Sequence, residues 1–248
     1  MTEQPPIKST PVGALRFNTE SSKIEYFNGN QYVNITTGSP EQNTGGTRGF
    51  ISGGGTPSQV NIIEFVNINS VGDFTNFGDL NNRVNGPAGS ADRTRGITSG
   101  GYQSPSGAYI NTIDFITMAS SGDASNFGDL TVARGHIGGG SNATRGLFAS
   151  GFDSPTNYNV IDYITIATQG NAIDFGDTLQ TAVHNTGTAC SKTRALFAGG
   201  YHYDTATSNI ISFETIATTG NAIDFGDLTA PGSIGNDGAA SDINGGLG

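Results

Sequence analysis

Apolar residues fall along this chain in short runs, divided by polar, glycine-rich stretches, and the runs return at a nearly fixed distance. Four of them, at 61–68 (NIIEFVNI), 111–118 (NTIDFITM), 159–166 (NVIDYITI) and 209–216 (NIISFETI), carry apolar residues on both alternation faces. That is the pattern of a strand covered on both sides, as in a sheet lying between two others. Ahead of each comes a run that opens on Thr-Arg and ends on small residues: TRGFISGGG from 47, TRGITSGGY from 94, TRGLFASGF from 144 and TRALFAGGY from 193. Such runs predict a strand followed by a tight turn. Behind each lies Phe-Gly-Asp, at Phe77, Phe127, Phe175 and Phe225, within a third short strand such as IDFGDL. A polar stretch, TVARGHIGGGSNA from 131 in the second copy, predicts a fourth strand before the next Thr-Arg. The Thr-Arg pairs are 47, 50 and 49 residues apart, and residues 165–177 and 215–227 differ only at Gln169 against Thr219. The chain is therefore a fourfold repeat produced by duplication.

A four-stranded sheet of about 49 residues cannot bury both its faces alone, whereas sheets stacked radially can, and this period points to a β-propeller. The repeats also resemble the kelch family, through Gly100-Gly101-Tyr102, Asn111 to Phe115, Phe127 and Arg134, in that order in the second copy. Departures are Ser150-Gly151 for the glycine pair and His184 near the arginine position in the third copy, Pro231 in the fourth, and Phe for Trp throughout. The expected fold is all-β: a kelch-like β-propeller of about four four-stranded blades over 38–248, with repeats starting near 47, 94, 144 and 193. Segments 32–46 and 229–248 are the candidates for closing a ring; the alternative is an open array completed by neighbouring subunits.

Residues 1–37 stand outside the repeat and predict a short N-terminal β-hairpin arm, ALRFN, KIEYF and YVNI, with turns at Thr19-Glu20-Ser21-Ser22 and Asn28-Gly29-Asn30. Asn-Gly between alternating residues is a strong hairpin signal, because both accept positive φ. Gly13, Arg16, Phe17, Asn18, Lys23, Glu25, Phe27, Asn28 and Gly29 resemble a short module of bacteriophage tail-fibre and other virion proteins. The repeat itself is similar to glycine-rich repeats in structural proteins of cyanophage-type tailed phages. These resemblances imply a virion component, of the tail rather than the head, that assembles with other virion proteins as a homo-oligomer. They also imply use in assembly and in contact with a host cell-surface glycan or protein. The alternative is a capsid decoration or tail-assembly protein that binds only other virion proteins.

Composition narrows the chemistry. Of 248 residues 38 are glycine and only 13% are charged, against about 25% charged and about 7% glycine in ordinary domains. Long solvated helices are excluded, since glycine loses the most backbone freedom on ordering. A net charge of −10, with 11 basic side chains, opposes a nucleic-acid role, which needs a basic face. The N-terminus does not read as a secretory signal, and no apolar run approaches the roughly 20 residues of a membrane span. The one cysteine, Cys190, has no internal disulfide partner and reads as a small packed residue.

No catalytic set converges in the sequence, so the expectation is a protein that is not an enzyme and has no cofactor. His136, His184 and His202 lie at unequal places in different repeats, without the three or four ligands that zinc takes. No nucleophile elbow occurs, and the glycine runs at 53 and 138 open no helix that could cradle phosphate. Asp79, Asp129, Asp177 and Asp227 recur once per repeat; turn structure is preferred over calcium, because the glycine-rich calcium loop is missing. Arg48, Arg95, Arg145 and Arg194 hold an invariant place, which predicts a bridge to the carboxylate or carbonyls of the next sheet. Their equal periodicity suggests pairing with the Phe-Gly-Asp carboxylates. The loop after each glycine pair varies in length and content, the usual place for binding on a constant scaffold. There Tyr102, Tyr109, Phe152, Tyr158, Tyr201 and Tyr203 are the candidate contact residues, suited to stacking on a sugar or a protein partner.

Overall fold

The computed structural model describes residues 10–19, 23–35, 46–55, 57–180, 186–202 and 206–230, the side chains of His202 and Ala206 excepted. Every regular element among them is a strand. The chain divides into two compact units, 1–44 and 45–248. The expected domain boundary at 37/38, residues 36–45 and 231–248 of the expected closing segments 32–46 and 229–248, and residues 20–22 of the expected turn lie outside the described residues.

The arm is a three-stranded antiparallel sheet, Leu15–Asn18, Lys23–Phe27 and Tyr32–Asn34. Its motif residues hold it together. Arg16 Nε donates to Glu25 at 2.7 Å, Asn18 Nδ2 donates to the other carboxylate oxygen at 2.9 Å, and the Arg16 guanidinium lies 3.7 Å from the Tyr32 ring centre. Hydrogen bonding by Asn18, then Arg16, holds the Glu25 carboxyl below its usual pKa. Asn28 Oδ1 accepts the amides of Asn30 and Gln31, both at 2.9 Å, and Phe27 is buried. The other face of this sheet leaves Leu15, Phe17, Ile24 and Tyr26 exposed.

The repeats form four antiparallel sheets. The first contains Arg48–Ser52, Val60–Asn67 and Thr75–Asn85, and the hairpin Tyr102–Ser104 with Ala108–Tyr109 extends it beyond Arg83–Asn85. The second contains Ala88–Ala91, Arg95–Ser99, Thr112–Thr117 and Ser125–Asp129. Gly138–Ser141, Arg145–Ala149, Val160–Thr165 and Ile173–Asp177 form the third. Gly187–Cys190, Arg194–Ala198, Ile210–Thr215 and Ile223–Asp227 form the fourth. The glycine-rich stretch that closes each of the first three repeats in sequence thus pairs with the Thr-Arg strand of the next repeat, and among the described residues the first sheet has no such inner strand. These inner strands are small-residue strands because they meet one another. A Cβ on Gly139 would lie 2.4 Å from the Gly89 carbonyl, and one on Gly140 2.4 Å from Cys190 Sγ. Cys190 is buried there, its thiol pushed up to about 11 by desolvation.

Each sheet packs on the next through one repeated junction. Ile113, Phe127 and Leu130 of the second sheet meet Ile164, Ile166 and Ala172 of the third, all nearly fully buried. Backbone bonds cross as well: Gly122, Gly170 and Gly220 donate to the carbonyls of Phe77, Phe127 and Phe175, and Ala124, Ala172 and Ala222 to those of Asp79, Asp129 and Asp177. The amides of Asp79, Asp129 and Asp177 donate in turn to the side chains of Asp123, Asn171 and Asn221, at 3.0–3.1 Å. The glycine of Phe-Gly-Asp makes this approach possible, since a Cβ on Gly128 would stand 2.2 Å from the Gly170 carbonyl. Gly128→Ala is expected to cost about 2 kcal/mol through forced displacement of the third sheet, and Gly226→Ala, with nothing within 4 Å, less; thermal denaturation of both variants measures the difference.

Candidate functional site

The repeated arginines prove to be joints, with a partner other than the one their periodicity suggested. Arg48, Arg95 and Arg145 lie over the aromatic rings of Phe65, Phe115 and Tyr163, at 5.2, 4.9 and 4.6 Å from the ring centres. Each then reaches the following sheet. Arg48 Nη1 donates to the Met118 carbonyl, Arg95 Nη1 to that of Ile166 and Arg145 Nη1 to that of Ile216, the last two at 2.7 Å. The expected pairing with the Phe-Gly-Asp carboxylates is therefore corrected: among the described residues the ion pairs are Arg16–Glu25 and Arg134–Asp162. The physical reason lies in the junction, where Asp79, Asp129 and Asp177 are engaged through their backbone groups and the guanidinium is directed over a ring toward a strand-end carbonyl. Asp227 and Arg194 hold the same places on the fourth sheet and are exposed.

The hairpins that follow the glycine pairs carry the aromatic candidates. Each leaves its sheet at a backbone that favours positive φ, 65° at Gly100 and 59° at Ser150, the latter a residue that rarely adopts it. Tyr102 pairs with Tyr109 across the first hairpin, ring centres 5.1 Å apart. The second hairpin, Phe152–Asp153 with Thr156–Asn157, is tied back through Gly135, whose amide donates to the Phe152 carbonyl at 3.0 Å and which accepts in return at 2.9 Å. This tie brings Phe152 to 5.7 Å from Tyr109, edge to face, and His136 to 6.5 Å from the same ring. Tyr109 is the hub of the group, and burial, followed by the nearby Asp153 charge and Tyr102, raises its phenol pKa.

Of the six candidates, then, Tyr102, Tyr109 and Phe152 meet. Tyr158 closes the second hairpin, its amide donating to the Gly151 carbonyl at 3.0 Å. Tyr201 pairs with Thr207 in a third hairpin, and Tyr203 lies outside the described residues. The described aromatics are half-buried, and the tyrosines among them pair an apolar ring with a hydroxyl. Such a row can stack on the apolar face of a sugar or on a peptide while its hydroxyls hydrogen-bond. His136 joins the row, which its sequence position did not suggest; the signal that could have found it was the Arg-Gly-His order that places Gly135 against the next hairpin.

Apart from the hairpins there is a cavity of about 290 Å³. It lies beside the inner edge of the first sheet, lined among others by Arg48, Ser52, Ser90, Thr98, Asp114 and Ser141. Asp114 there accepts from Asn81 N at 3.0 Å and Nδ2 at 2.7 Å, and burial raises its pKa against those bonds. Among the described residues no group of three or more His, Cys, Asp or Glu side chains is arranged to hold a metal ion. His184 lies outside them.

The fold is shared with a solved structure. The structure of YjhT superposes on this chain with a TM-score of 0.63 at 7% sequence identity, over 79% of this chain and 69% of YjhT. At that identity the likeness concerns the fold alone. No protein-family model and no curated protein matches the sequence.

Proposed function

We propose that this chain is a non-enzymatic structural protein of a phage particle, a kelch-like set of four propeller blades carried on a docking arm and used in tail assembly and contact with the host surface. One observation carries the contact role. Variable hairpins project from sheets whose own junctions repeat bond for bond, and the first two share the aromatic group Tyr102, Tyr109 and Phe152, which separates a changing contact surface from a constant support. The arm supports the docking role: of the residues that carry its likeness to tail-fibre modules, Arg16, Asn18, Glu25, Phe27 and Asn28 tie its small sheet together, while Leu15 and Phe17 remain 67% and 61% exposed on its other face. Large exposed apolar groups on one face mark a surface awaiting a partner.

Cryo-EM of purified particles tests the assignment. Density for the four sheets at the tail is the expected result; density only on the capsid favours the decoration reading, and absence from particles overturns both. For the contact surface, Tyr102→Ala is expected to lower adsorption to host cells, or binding on a glycan array, by about tenfold, with little change in melting temperature. Unchanged adsorption would remove the aromatic row from the binding role.

A further inference from the structure

The two end sheets expose the two halves of the internal junction, and we infer that the fourth sheet of one copy docks on the first sheet of a second copy in the same head-to-tail manner. On the donating face the contrast is direct. Phe77, Phe127 and Phe175 are 3%, 3% and 2% exposed beneath the following sheet, whereas Phe225, the fourth of the series, is 52% exposed. Arg194 is already posed for a partner, its guanidinium 4.8 Å from the Phe213 ring centre just as the other three sit over theirs, yet no sheet follows it among the described residues.

The receiving face is equally complete. Ile68 occupies the position of Ile166 and Ile216, which are fully buried and whose carbonyls accept the arginines, but Ile68 is 63% exposed. Gly72 and Asp73 stand where Gly122 and Asp123, or Gly170 and Asn171, close the internal junctions. Phe74 replaces the alanine of the other repeats, is 41% exposed, and adds apolar area at the rim. Glu64 and Asp73 give this face negative charge opposite Arg194.

Transferring the internal pattern predicts the intermolecular one. Arg194 donates to the Ile68 carbonyl, the amides of Gly72 and Phe74 donate to the carbonyls of Phe225 and Asp227, and the Asp227 amide donates to Asp73. Such an interface is heterologous, so repeated association closes into a ring or extends as a fibre.

Sedimentation of the full chain over a wide concentration range tests this. Wild type is expected to self-associate, and Phe225→Asp and Ile68→Asp are each expected to weaken association by at least about thirtyfold while melting like wild type. Mixing the two variants must then yield a one-to-one heterodimer and nothing larger, because only the intact fourth sheet of Ile68→Asp and the intact first sheet of Phe225→Asp can meet. Folded protein that is monomeric at every concentration, variants that associate like wild type, or a mixture that forms no heterodimer would each overturn the inference; the first of these is the result for sheets that close on each other within one chain.

Discussion

Arg134→Met is expected to destabilise the repeat unit by about 3–5 kcal/mol, the largest loss from any single substitution outside the apolar core. Arg134 is fully buried. Its Nη1 donates to Asp162 at 2.9 Å, and Nε and Nη2 donate to the carbonyls of Ser150 at 2.8 Å and Phe148 at 3.2 Å. Asp162, also without exposure, accepts in addition from Thr131 N and Oγ1 at 3.1 and 2.6 Å. Desolvation lowers the arginine's pKa, with the Asp162 charge acting in the opposite direction. Removing the cation strands a carboxylate and three carbonyls, that of Val132 being the third, at the junction of the second and third sheets. Removing both charges, as Arg134→Met with Asp162→Leu, is expected to recover most of the loss, because a buried pair costs nearly as much desolvation as it returns in attraction. Denaturant titration of the single and double variants checks this; equal losses in both would show that the pair contributes through packing rather than charge.

Glu214 should make the protein less stable as pH rises. It is 3% exposed, in the strand position that isoleucine fills at 116 and 164, with Oε1 lacking a partner among the described residues. Burial pushes its pKa from 4.5 up to about 8. A carboxyl raised in this way is neutral in both states below about 4.5, so folding carries no ionisation penalty there. Between about 4.5 and 8 the unfolded chain ionises while the folded chain stays protonated, and stability falls through that window. The expected loss is about 3 kcal/mol across it, since a tenfold change in proton affinity is worth roughly 1.4 kcal/mol and the buried site relaxes in part when it ionises. Glu214→Ile is expected to flatten the profile and to gain about that amount near pH 8. Urea titrations at both ends of the window measure it, and parallel profiles for the two proteins would rule out Glu214 as the source.

Much of this architecture can be read from the residues alone, because duplication writes the same strand four times. The both-faced apolar runs became the strands Val60–Asn67, Thr112–Thr117, Val160–Thr165 and Ile210–Thr215, and the Phe-Gly-Asp segments became the strands beside them. Harder to read was which partner each repeated polar residue would take. Equal spacing of Arg95 and Asp129 shows that both are structural, but a carbonyl such as that of Ile166 has no sequence signature, so the acceptor was invisible. The same holds for the aromatic hairpins: Tyr109 and Phe152 are 43 residues apart and meet only because the Gly135 backbone reaches across to the second hairpin. Glu214 was legible as a departure from its repeat, since its counterparts are apolar, yet only the packing of the fourth sheet on the third makes it buried.

The choice of carbonyls as acceptors has a genetic consequence. Whatever its side chain, every residue offers the same carbonyl, so Arg48, Arg95 and Arg145 demand no matching partner from the repeat that follows. A segment cut from one Thr-Arg to the next and copied in frame would carry its joint with it and find a compatible neighbour on either side. Unequal recombination could thus lengthen or shorten the stack by whole sheets without a second, compensating mutation, while the hairpins diverged independently. Near identity of residues 165–177 and 215–227 is what a copying event of that kind would leave behind.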